Sequence, residues 1–521
     1  MTDASEQNKK WFWICLGLFL LLTLLFFKNA WVCDDAFIIF RSIEQLFAGN
    51  GPNWNPHERV QAYTSPLWFW VLAAMRVFSA DHFFNVIMVS FVAFLIFFML
   101  LYRYFGAGSS LATFLLVAAG SSAFIDFTTS GLENAIAYLT VSAAFIFGLL
   151  SLKGDISDDQ RRKCYLRSLL AFALVPLCRH DLLTLTFVPS MALIFLQSSG
   201  GRRQRLFDFA LMMAPLFIWS LFSLVYYGAV FPNTAYAKIS TGIDRLEMCT
   251  QGLWYIWVTL NHDPVTILTF ITAVIVAFSS AGKLEKAMAA GILFNVLYVI
   301  FVGGDFMRGR FFSVAFPVAL ILLADSKIFV KLYDARTALA RTGIAIFLAF
   351  LVMFPNTPVN TGLAYQNFAL DHGIADERGY YFDVCSLYAY LYCPPGEVFP
   401  DFEWSHIGRQ IAASGVNYLE NDFNGMLGYW AGTKPVIIDR LALSDPFLAR
   451  QPVQNAKNWR IGHFKRFVSE DYRRSIETGI NSFKDPKQAF LYDMLALAVK
   501  DKQFFSVRRA WAVVKLNLGL Y

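Results

Sequence analysis

WFWICLGLFLLLTLLFFKNAWVCDDAFIIFR runs from Trp11 to Arg41 and places two adjacent carboxylates, Asp34 and Asp35, soon after an unbroken apolar stretch. The apolar part, Trp11 to Phe27, follows two lysines and approaches the roughly 20 residues that a membrane-spanning helix needs. No small-x-small cleavage site follows it, so we interpret it as an uncleaved signal anchor. The stretch therefore predicts a membrane anchor with two acids at its far end.

The composition of the whole chain agrees with a membrane protein. Of the 521 residues, 57% are hydrophobic and 16% are charged, and the mean hydropathy is +0.47. Soluble domains carry roughly 25% charged residues. The net charge of +6 does not indicate nucleic acid binding, because most basic residues lie in short loops between apolar runs, where they set orientation. We predict a polytopic α-helical membrane protein with about 11 transmembrane helices.

Eleven apolar runs, separated by glycine, proline and charged residues, are the predicted spans. They are residues 11–28, 84–102, 109–126, 135–152, 168–179, 182–197, 206–226, 264–281, 288–303, 311–324 and 342–355. Residues 66–79 form either an interfacial helix or a further span. With this count, the basic loops fall on one side of the membrane: Lys9–Lys10, Arg103, 152–167, 201–205, 282–286 and 327–341. The positive-inside rule makes that side cytoplasmic.

The same orientation places residues 356–521 outside the cytoplasm. This part has no apolar run long enough to span and alternates polar and apolar stretches with turn residues. We predict a transmembrane catalytic domain over 1–355 and a soluble extracytoplasmic α/β or α+β domain over 356–521. A disulfide between Cys385 and Cys393 could form in such a compartment.

Six polar clusters fall on the predicted outer face, and we expect them to build one site. They are residues 33–41, 50–68, 128–134, 178–183, 226–238 and 303–312. The last combines Asp305, Arg308 and Arg310 with glycines, which allow a backbone to approach a ligand closely. Arginine binds phosphate through forked hydrogen bonds. A lipid-phosphate-linked sugar fits such a face, because it needs cations for its phosphate, an apolar groove for its tail and a carboxylate base for the acceptor hydroxyl.

Each cluster also has a simpler interpretation that the sequence leaves open. Asp34 or Asp35 could cap the helix that the following apolar periodicity predicts. Glu133 could be an acid at a helix start, and Lys238 could extend to the lipid headgroups. Arg179-His180-Asp181 could be a hydrogen-bonded polar cluster between helices, and His57 and Glu58 could lie in a plain loop. A structural polar network is the simpler alternative for Asp439, Arg440, Asp445, Arg450 and His463.

Taken in order, the motifs resemble the GT-C glycosyltransferases of the mycobacterial terminal arabinofuranosyltransferase type. They are DDAFIIFR, GNGPNWNPHERVQAYTSPLW, SGLEN, YYGAVFPNTAYAK, VGGDFMRGRFF, GYWAGTKPVIIDRLALSDPFLAR and WRIGHFKR, and the resemblance runs from about residue 31 to 470. The resemblance implies a polyprenyl-phosphate sugar donor, typically carrying D-arabinofuranose in this family, used at the outer face of a bacterial inner membrane. It also implies that Asp34 and Asp35 match the catalytic acid pair.

The predicted function is transfer of that sugar to an extracytoplasmic glycan or protein acceptor in the cell envelope. Asp34 and Asp35 are the predicted catalytic pair, and the predicted phosphate ligands are Arg308, Arg310 and Lys238. The predicted pocket and acceptor residues are Arg41, Glu58, Tyr63, Glu133, Arg179, His180, Asn233, Tyr236, Asp305, Asp439 and His463. No cofactor is predicted, although the two adjacent aspartates could hold a divalent cation.

A transporter or flippase of a lipid-linked glycan is the alternative function. Transporters place their ionisable residues near the bilayer midplane, often in broken helices. Here most ionisable residues lie in the predicted outer loops, and only Arg179-His180-Asp181 resembles a transporter site. This distribution favours the enzyme.

Overall fold

The computed structural model describes residues 2–197, 201–280, 282–326, 338–362 and 370–521. The described chain is mainly helical and divides into two compact units. The first unit comprises Met1–Cys33, Phe83–Pro215 and Arg245–Tyr392, and the second comprises Asp34–His82, Leu216–Asp244 and Cys393–Tyr521. This division does not follow the predicted domain boundary at 355/356, because residues 34–82 and 216–244 group with the C-terminal residues.

Six described helices are long and apolar enough to cross a membrane: Glu6–Lys28, His82–Phe105, Asn134–Ser151, His180–Gln197, Gly201–Tyr226 and Lys283–Phe301. Two bent pairs raise the number to eight if each pair is one span. One pair joins Ser109–Ala118 to Ser122–Thr128 at 79°, and the other joins Arg245–His262 to Pro264–Ser279 at 108°. The prediction of a multi-pass membrane protein is confirmed on this basis.

The predicted number of about 11 spans is not confirmed. The run 168–179 lies in the helix Asp158–Cys178, whose first half is charged. The run 311–324 overlaps the helix Ala315–Asp325, which has only 11 residues. The run 342–355 lies in Ala338–Met353, which has 16 residues. Residues 66–79 contain the helix Pro66–Arg76, of 11 residues. Most of the basic segment 327–341 lies outside the described residues.

The first unit carries most of the apolar helices. Its described elements are the helices Thr2–Lys28, His82–Phe105, Ser109–Ala118, Ser122–Thr128, Asn134–Ser151, Asp158–Cys178, Leu183–Gln197, Arg245–His262, Pro264–Ser280, Lys283–Phe301, Arg310–Ser313, Ala315–Asp325, Ala338–Met353, Glu377–Cys385 and Leu387–Tyr392, and the strands Leu370–Asp371 and Ile374–Ala375. The helix Gly201–Tyr226 continues from this unit into the second through Pro215. The two strands pair antiparallel, with Leu370 opposite Ala375.

The second unit combines short helices with one strand pair. Its described elements are the helices Asp34–Phe47, Pro66–Arg76, Asn233–Ile239, Glu403–Ser414, Met426–Trp430, Glu470–Thr478, Pro486–Lys500 and Val507–Leu518, and the strands Tyr418–Asn421 and Val436–Asp439. The strands pair in parallel, with Tyr418 opposite Val436 and Asn421 opposite Asp439. An apolar core that includes Phe447, Tyr472 and Leu495 holds the C-terminal helices.

The predicted extracytoplasmic domain over 356–521 stays a prediction, since residues 356–392 group with the first unit. The possible disulfide is not formed, because Cys385 and Cys393 are both thiols. Cys385 is buried, and its carbonyl accepts a hydrogen bond from Val32 N at 3.0 Å within the first unit. That cysteine therefore serves packing.

Candidate active site

Asp34 is the first residue of the helix Asp34–Phe47 and is held by a distant backbone amide. Met426 N donates a hydrogen bond of 2.7 Å to Asp34 Oδ1. The pKa of Asp34 is raised to about 7, because burial and, to a smaller extent, the charge of Asp35 raise it more than the hydrogen bonds from the amides of Met426 and Gly425 lower it. The carboxyl group is therefore partly buried and poised to exchange a proton near neutral pH.

The segment that holds Asp34 needs a glycine. A Cβ atom at Gly425 would lie 2.1 Å from the backbone oxygen of Asp34 and 2.3 Å from its Cγ atom. The hydrogen bond to Met426 also bears on the capping alternative, because an N-cap side chain accepts from an amide of its own helix. The recorded partner of Asp34 lies 392 residues away along the chain. Asp35 is partly buried beside it in the same first turn.

Arg41, predicted to line the pocket, binds backbone carbonyls inside the second unit. Its side chain is 1% exposed and donates to the carbonyls of Trp54 (3.1 Å), Gly432 (2.5 Å), Pro435 (2.9 Å) and Gly428. The guanidinium also lies 4.8 Å from the centroid of the Trp54 ring. Burial lowers the pKa of Arg41 to about 9. These contacts make Arg41 a structural support of the segment around Gly428.

Three predicted pocket residues of the 50–68 and 226–238 clusters also have partners in this unit. Glu58 Oε1 accepts from Asn55 Nδ2 at 2.8 Å. The Tyr63 hydroxyl lies 2.8 Å from the Tyr227 hydroxyl. Asn233 Nδ2 donates to the carbonyl of Ala442 at 2.9 Å and thus attaches the Asn233–Ile239 helix to the C-terminal part. The two loop clusters and the tail therefore meet in one unit.

The next helical turn presents a tyrosine and a lysine. The Tyr236 hydroxyl donates to Asn517 Oδ1 at 3.2 Å, and Arg450 lies 4.7 Å above the Tyr236 ring. Lys238, predicted to bind phosphate, is exposed, and among the described residues it forms neither a hydrogen bond nor an ion pair. Lys238 is therefore the most available of the three predicted phosphate ligands.

The two predicted acceptor residues of the tail differ in environment. Asp439 is fully buried and accepts from Leu441 N at 2.8 Å and from Ser444 N at 2.8 Å. Burial raises the pKa of Asp439, against these hydrogen bonds. His463 is partly buried and lines a cleft of about 430 Å³ together with Trp459 and Asp422. Asp439 thus organises the turn after its strand, whereas His463 contributes to the lining of the cleft.

The first unit gathers three of the predicted clusters around buried ion pairs. Glu133 Oε1 lies 3.6 Å from Arg179 Nε and 3.9 Å from an Arg310 guanidinium nitrogen. Arg310 also pairs with Asp305 at 3.4 Å, and Arg179 with Asp181 at 2.5 Å. His180, partly buried, begins the 3₁₀ turn between Arg179 and the following helix. The predicted meeting of the 128–134, 178–183 and 303–312 clusters is therefore observed.

A second set of buried pairs surrounds Arg308. Its guanidinium lies 2.7 Å from Asp376 Oδ2, and Arg378 Nε lies 2.8 Å from Asp126 Oδ1. The turn that presents Arg308 contains Gly309, with φ +77°, where a Cβ atom would lie 2.7 Å from that of Ala123. The sequence reasoning did not select Asp126, Asp376 or Arg378. Asp126 could have been found, since it is an ionisable residue at the end of a predicted span.

The chain is similar to arabinofuranosyltransferases, as the motifs had predicted. One relative is the terminal beta-(1->2)-arabinofuranosyltransferase of Mycobacterium tuberculosis, 24% identical over 528 aligned residues, which cover 85% of this chain and 82% of that protein. Another, of the same name, comes from Corynebacterium glutamicum and is 25% identical over 398 residues, covering 68% of this chain and 55% of the relative. The second match thus spans about half of that protein's length.

No protein-family model matches the chain. Among solved structures, ArnT from Cupriavidus metallidurans bound to undecaprenyl phosphate aligns with a TM-score of 0.47 and 13% identity, over 84% of this chain and 77% of that chain. The resemblance to the terminal arabinofuranosyltransferases, first based on motifs, is confirmed by the two sequence relatives.

Proposed function

We propose that the protein is a GT-C glycosyltransferase of the bacterial inner membrane. It moves a sugar, D-arabinofuranose by analogy with its relatives, from a polyprenyl-phosphate donor to a hydroxyl of an extracytoplasmic glycan or protein. The extended similarity to two arabinofuranosyltransferases supports the reaction class. The observation that carries the proposal is this similarity, together with the Asp34 carboxyl group, which Met426 N holds at 2.7 Å.

In the proposed reaction, the Asp34 carboxylate accepts the proton of the acceptor hydroxyl. The acceptor oxygen attacks the anomeric carbon, and the bond between that carbon and the phosphate oxygen breaks, so that polyprenyl phosphate leaves. A general base is most effective when its pKa lies near the working pH, which is the range indicated for Asp34. Met426 N holds one oxygen of this carboxyl group in a fixed position. Asp35 would orient the acceptor beside it.

The donor phosphate requires cations, and the three candidates differ in how they are engaged. Arg308 has a short pair with Asp376 at 2.7 Å, whereas Arg310 has longer contacts of 3.4 Å and 3.9 Å with Asp305 and Glu133. We propose that Arg310 binds the phosphate and that Arg308, paired with Asp376, positions its loop. Lys238, in the second unit, stays a predicted phosphate ligand.

The test is transfer by the full-length protein purified in detergent. A radiolabelled polyprenyl-phosphoryl arabinofuranose donor and a synthetic arabinan acceptor are incubated with it, and the labelled product is measured without any membrane gradient. The proposal predicts a labelled glycan and release of polyprenyl phosphate. The transporter alternative predicts no product in detergent but movement of the intact labelled lipid between leaflets of proteoliposomes, and that result would overturn the proposal.

Metal dependence is examined in the same assay. Among the described residues, no group of three or more His, Cys, Asp or Glu side chains could hold a metal ion. The sequence demands no cofactor, so we expect EDTA to leave the rate unchanged. Loss of activity with EDTA and recovery with magnesium would instead indicate a cation at the Asp34–Asp35 pair.

A further inference from the structure

The helix Val507–Leu518 is apolar on two different faces. Ser506 caps its start by accepting from Arg509 N. One face packs inward, where Val513 and Leu516 join the apolar core of the second unit. This packing explains why the helix is held on the unit, but it accounts for only part of the apolar surface.

The outward face carries a second apolar stripe that covers nothing in its unit. Val507 is 85% exposed, Trp511 59%, Val514 44% and Leu518 67%. At about 100° per residue, these four positions fall within an arc of about 60° on the helix. The residues on either side of the helix, Phe505 and Leu520, are 89% and 57% exposed. An aligned patch of this kind marks an interaction surface rather than scattered surface residues.

Contacts within the second unit attach this helix to the end of a membrane span. Asn517 Nδ2 donates to the Gly228 carbonyl at 2.9 Å, and an Arg509 guanidinium nitrogen donates to the Tyr226 carbonyl at 3.3 Å. The Tyr226 ring stacks on Phe504 with centroids 5.9 Å apart. Tyr226 is the last residue of the candidate span Gly201–Tyr226. The helix therefore packs against the last residue of that candidate span and the turn that follows it.

Basic residues flank the apolar stripe. Arg508 and Lys502 are exposed, and Lys515 lies with its Nζ atom 5.5 Å from the Trp511 ring centroid. Positions 508 and 515 fall at about 80–100° from Val507 on the helix, next to the stripe. This combination of Trp and aliphatic residues beside Lys and Arg is typical of helices that lie in the membrane interface.

We propose that Val507–Leu518 is an interfacial helix that inserts its outward stripe into the lipid surface. The apolar side chains enter the acyl boundary, and the flanking cations bind the phosphates of anionic lipids. The occupant of the exposed face is thus the bilayer itself. This inference is independent of the reaction, since it rests on the surface of a helix and its attachment to a span.

The test replaces Trp511 with the photoreactive residue benzoyl-phenylalanine in the full-length protein. The variant is reconstituted in vesicles of phosphatidylglycerol and phosphatidylcholine, irradiated and analysed by intact mass. The matched control carries the same group at Glu477, an exposed position on the polar helix Glu470–Thr478. We expect lipid adducts with the group at position 511 and only background signal with the group at position 477.

The charge contribution is measured in the same way. Arg508→Ala combined with Lys502→Ala should lower the adduct yield in phosphatidylglycerol vesicles to the yield found in pure phosphatidylcholine. Both residues are exposed, so we expect the variant to fold. An unchanged elution volume on size exclusion is the control for this. An adduct between two copies of the chain, or no adduct at position 511, would overturn the proposal, since the stripe would then face protein or water.

Discussion

Asp34 is the residue on which the proposed chemistry depends, and replacing it with asparagine distinguishes a catalytic role from a structural one. Asparagine at position 34 keeps an oxygen that can accept from Met426 N, but it cannot take a proton. We therefore expect Asp34→Asn to reduce transfer by about 10²–10⁴-fold while donor binding stays near normal. Asp35→Asn serves as the matched control and should cost less. A variant at position 34 that keeps more than about a tenth of the activity would contradict the assignment, because a general base contributes more than this.

The raised pKa of Asp34 leads to a pH profile with a defined sign. The base must be ionised, so the rate should increase as pH rises through about 7 and then level off. Stability should change in the opposite direction. The folded protein retains a proton that the unfolded chain releases above its ordinary pKa, so this group stabilises most at low pH and loses that contribution as pH rises toward 7.

The corresponding measurement compares melting temperatures of wild type and Asp34→Asn at pH 5 and pH 8. The melting temperature of Asp34→Asn minus that of wild type should be more positive at pH 8 than at pH 5. A transfer rate without an inflection near neutral pH would indicate that a different group limits the reaction.

Arg41 shows what the sequence could not reveal at the level of single residues. Its place in the polar cluster 33–41 predicted a pocket residue, whereas its side chain donates to carbonyls at Gly428, Gly432 and Pro435. Such long-range partners leave no local pattern, because a backbone carbonyl is present at every residue. The carboxylates at positions 34 and 35 could be selected from the sequence, whereas the amide of Met426 could not.

Arg41→Lys tests this structural interpretation. A lysine keeps the charge but presents a single nitrogen, so it cannot donate to several separate carbonyls as the planar guanidinium does. Each lost hydrogen bond to a charged group costs about 1.5–3 kcal/mol. We expect a lower melting temperature with little change in donor KM for the protein that remains folded. A large rise in donor KM with unchanged melting temperature would restore Arg41 to the pocket.

The start of the Met426–Trp430 helix positions Asp34 by close contact. Alanine at Gly425 would bring a Cβ atom to 2.3 Å from Asp34 Cγ and would have to displace it. We expect Gly425→Ala to lower the transfer rate more than it lowers donor binding, as seen in a kcat decrease at constant KM. Gly154→Ala is the control, because its added Cβ atom meets nothing within 4 Å. Equal activity of the two variants would show that the contact does not position the acid.

The helices themselves were predictable to different degrees. Long unbroken runs such as Trp11–Phe27 produce helices where hydropathy places them. The helix Arg245–His262 was missed, because polar residues interrupt its apolar positions. It meets its bent partner at Asp263, which accepts from Ala123 N at 2.9 Å and Thr266 N at 3.1 Å. A bend whose side chain accepts a hydrogen bond from a distant backbone amide has no hydropathy signal.

Across the whole molecule, the sequence identified the polar clusters better than their partners. Glu133, Arg179 and Arg310 were selected from three separate loops and do meet. Asp376 was not selected, since an acid in a polar stretch is ordinary until its arginine partner is known. Removing one partner of a buried ion pair lowers the stability of the fold by about 3–5 kcal/mol. Arg308 is therefore best studied with Arg308→Lys, which retains the charge.

The orientation of the molecule in the membrane is the prediction that supports all the proposed site residues. The basic residues of 152–167, 201–205 and 282–286 lie between the apolar runs predicted from the sequence, and the positive-inside rule assigns such segments to the cytoplasm. Residue 400 should then lie outside. An alkaline phosphatase fusion at residue 400 should be active, and a green fluorescent protein fusion at the same residue should be dark. Fusions after residue 156 provide the opposite control. A fluorescent fusion at 400 would move the catalytic acids to the cytoplasmic face, where an extracytoplasmic acceptor could not reach them.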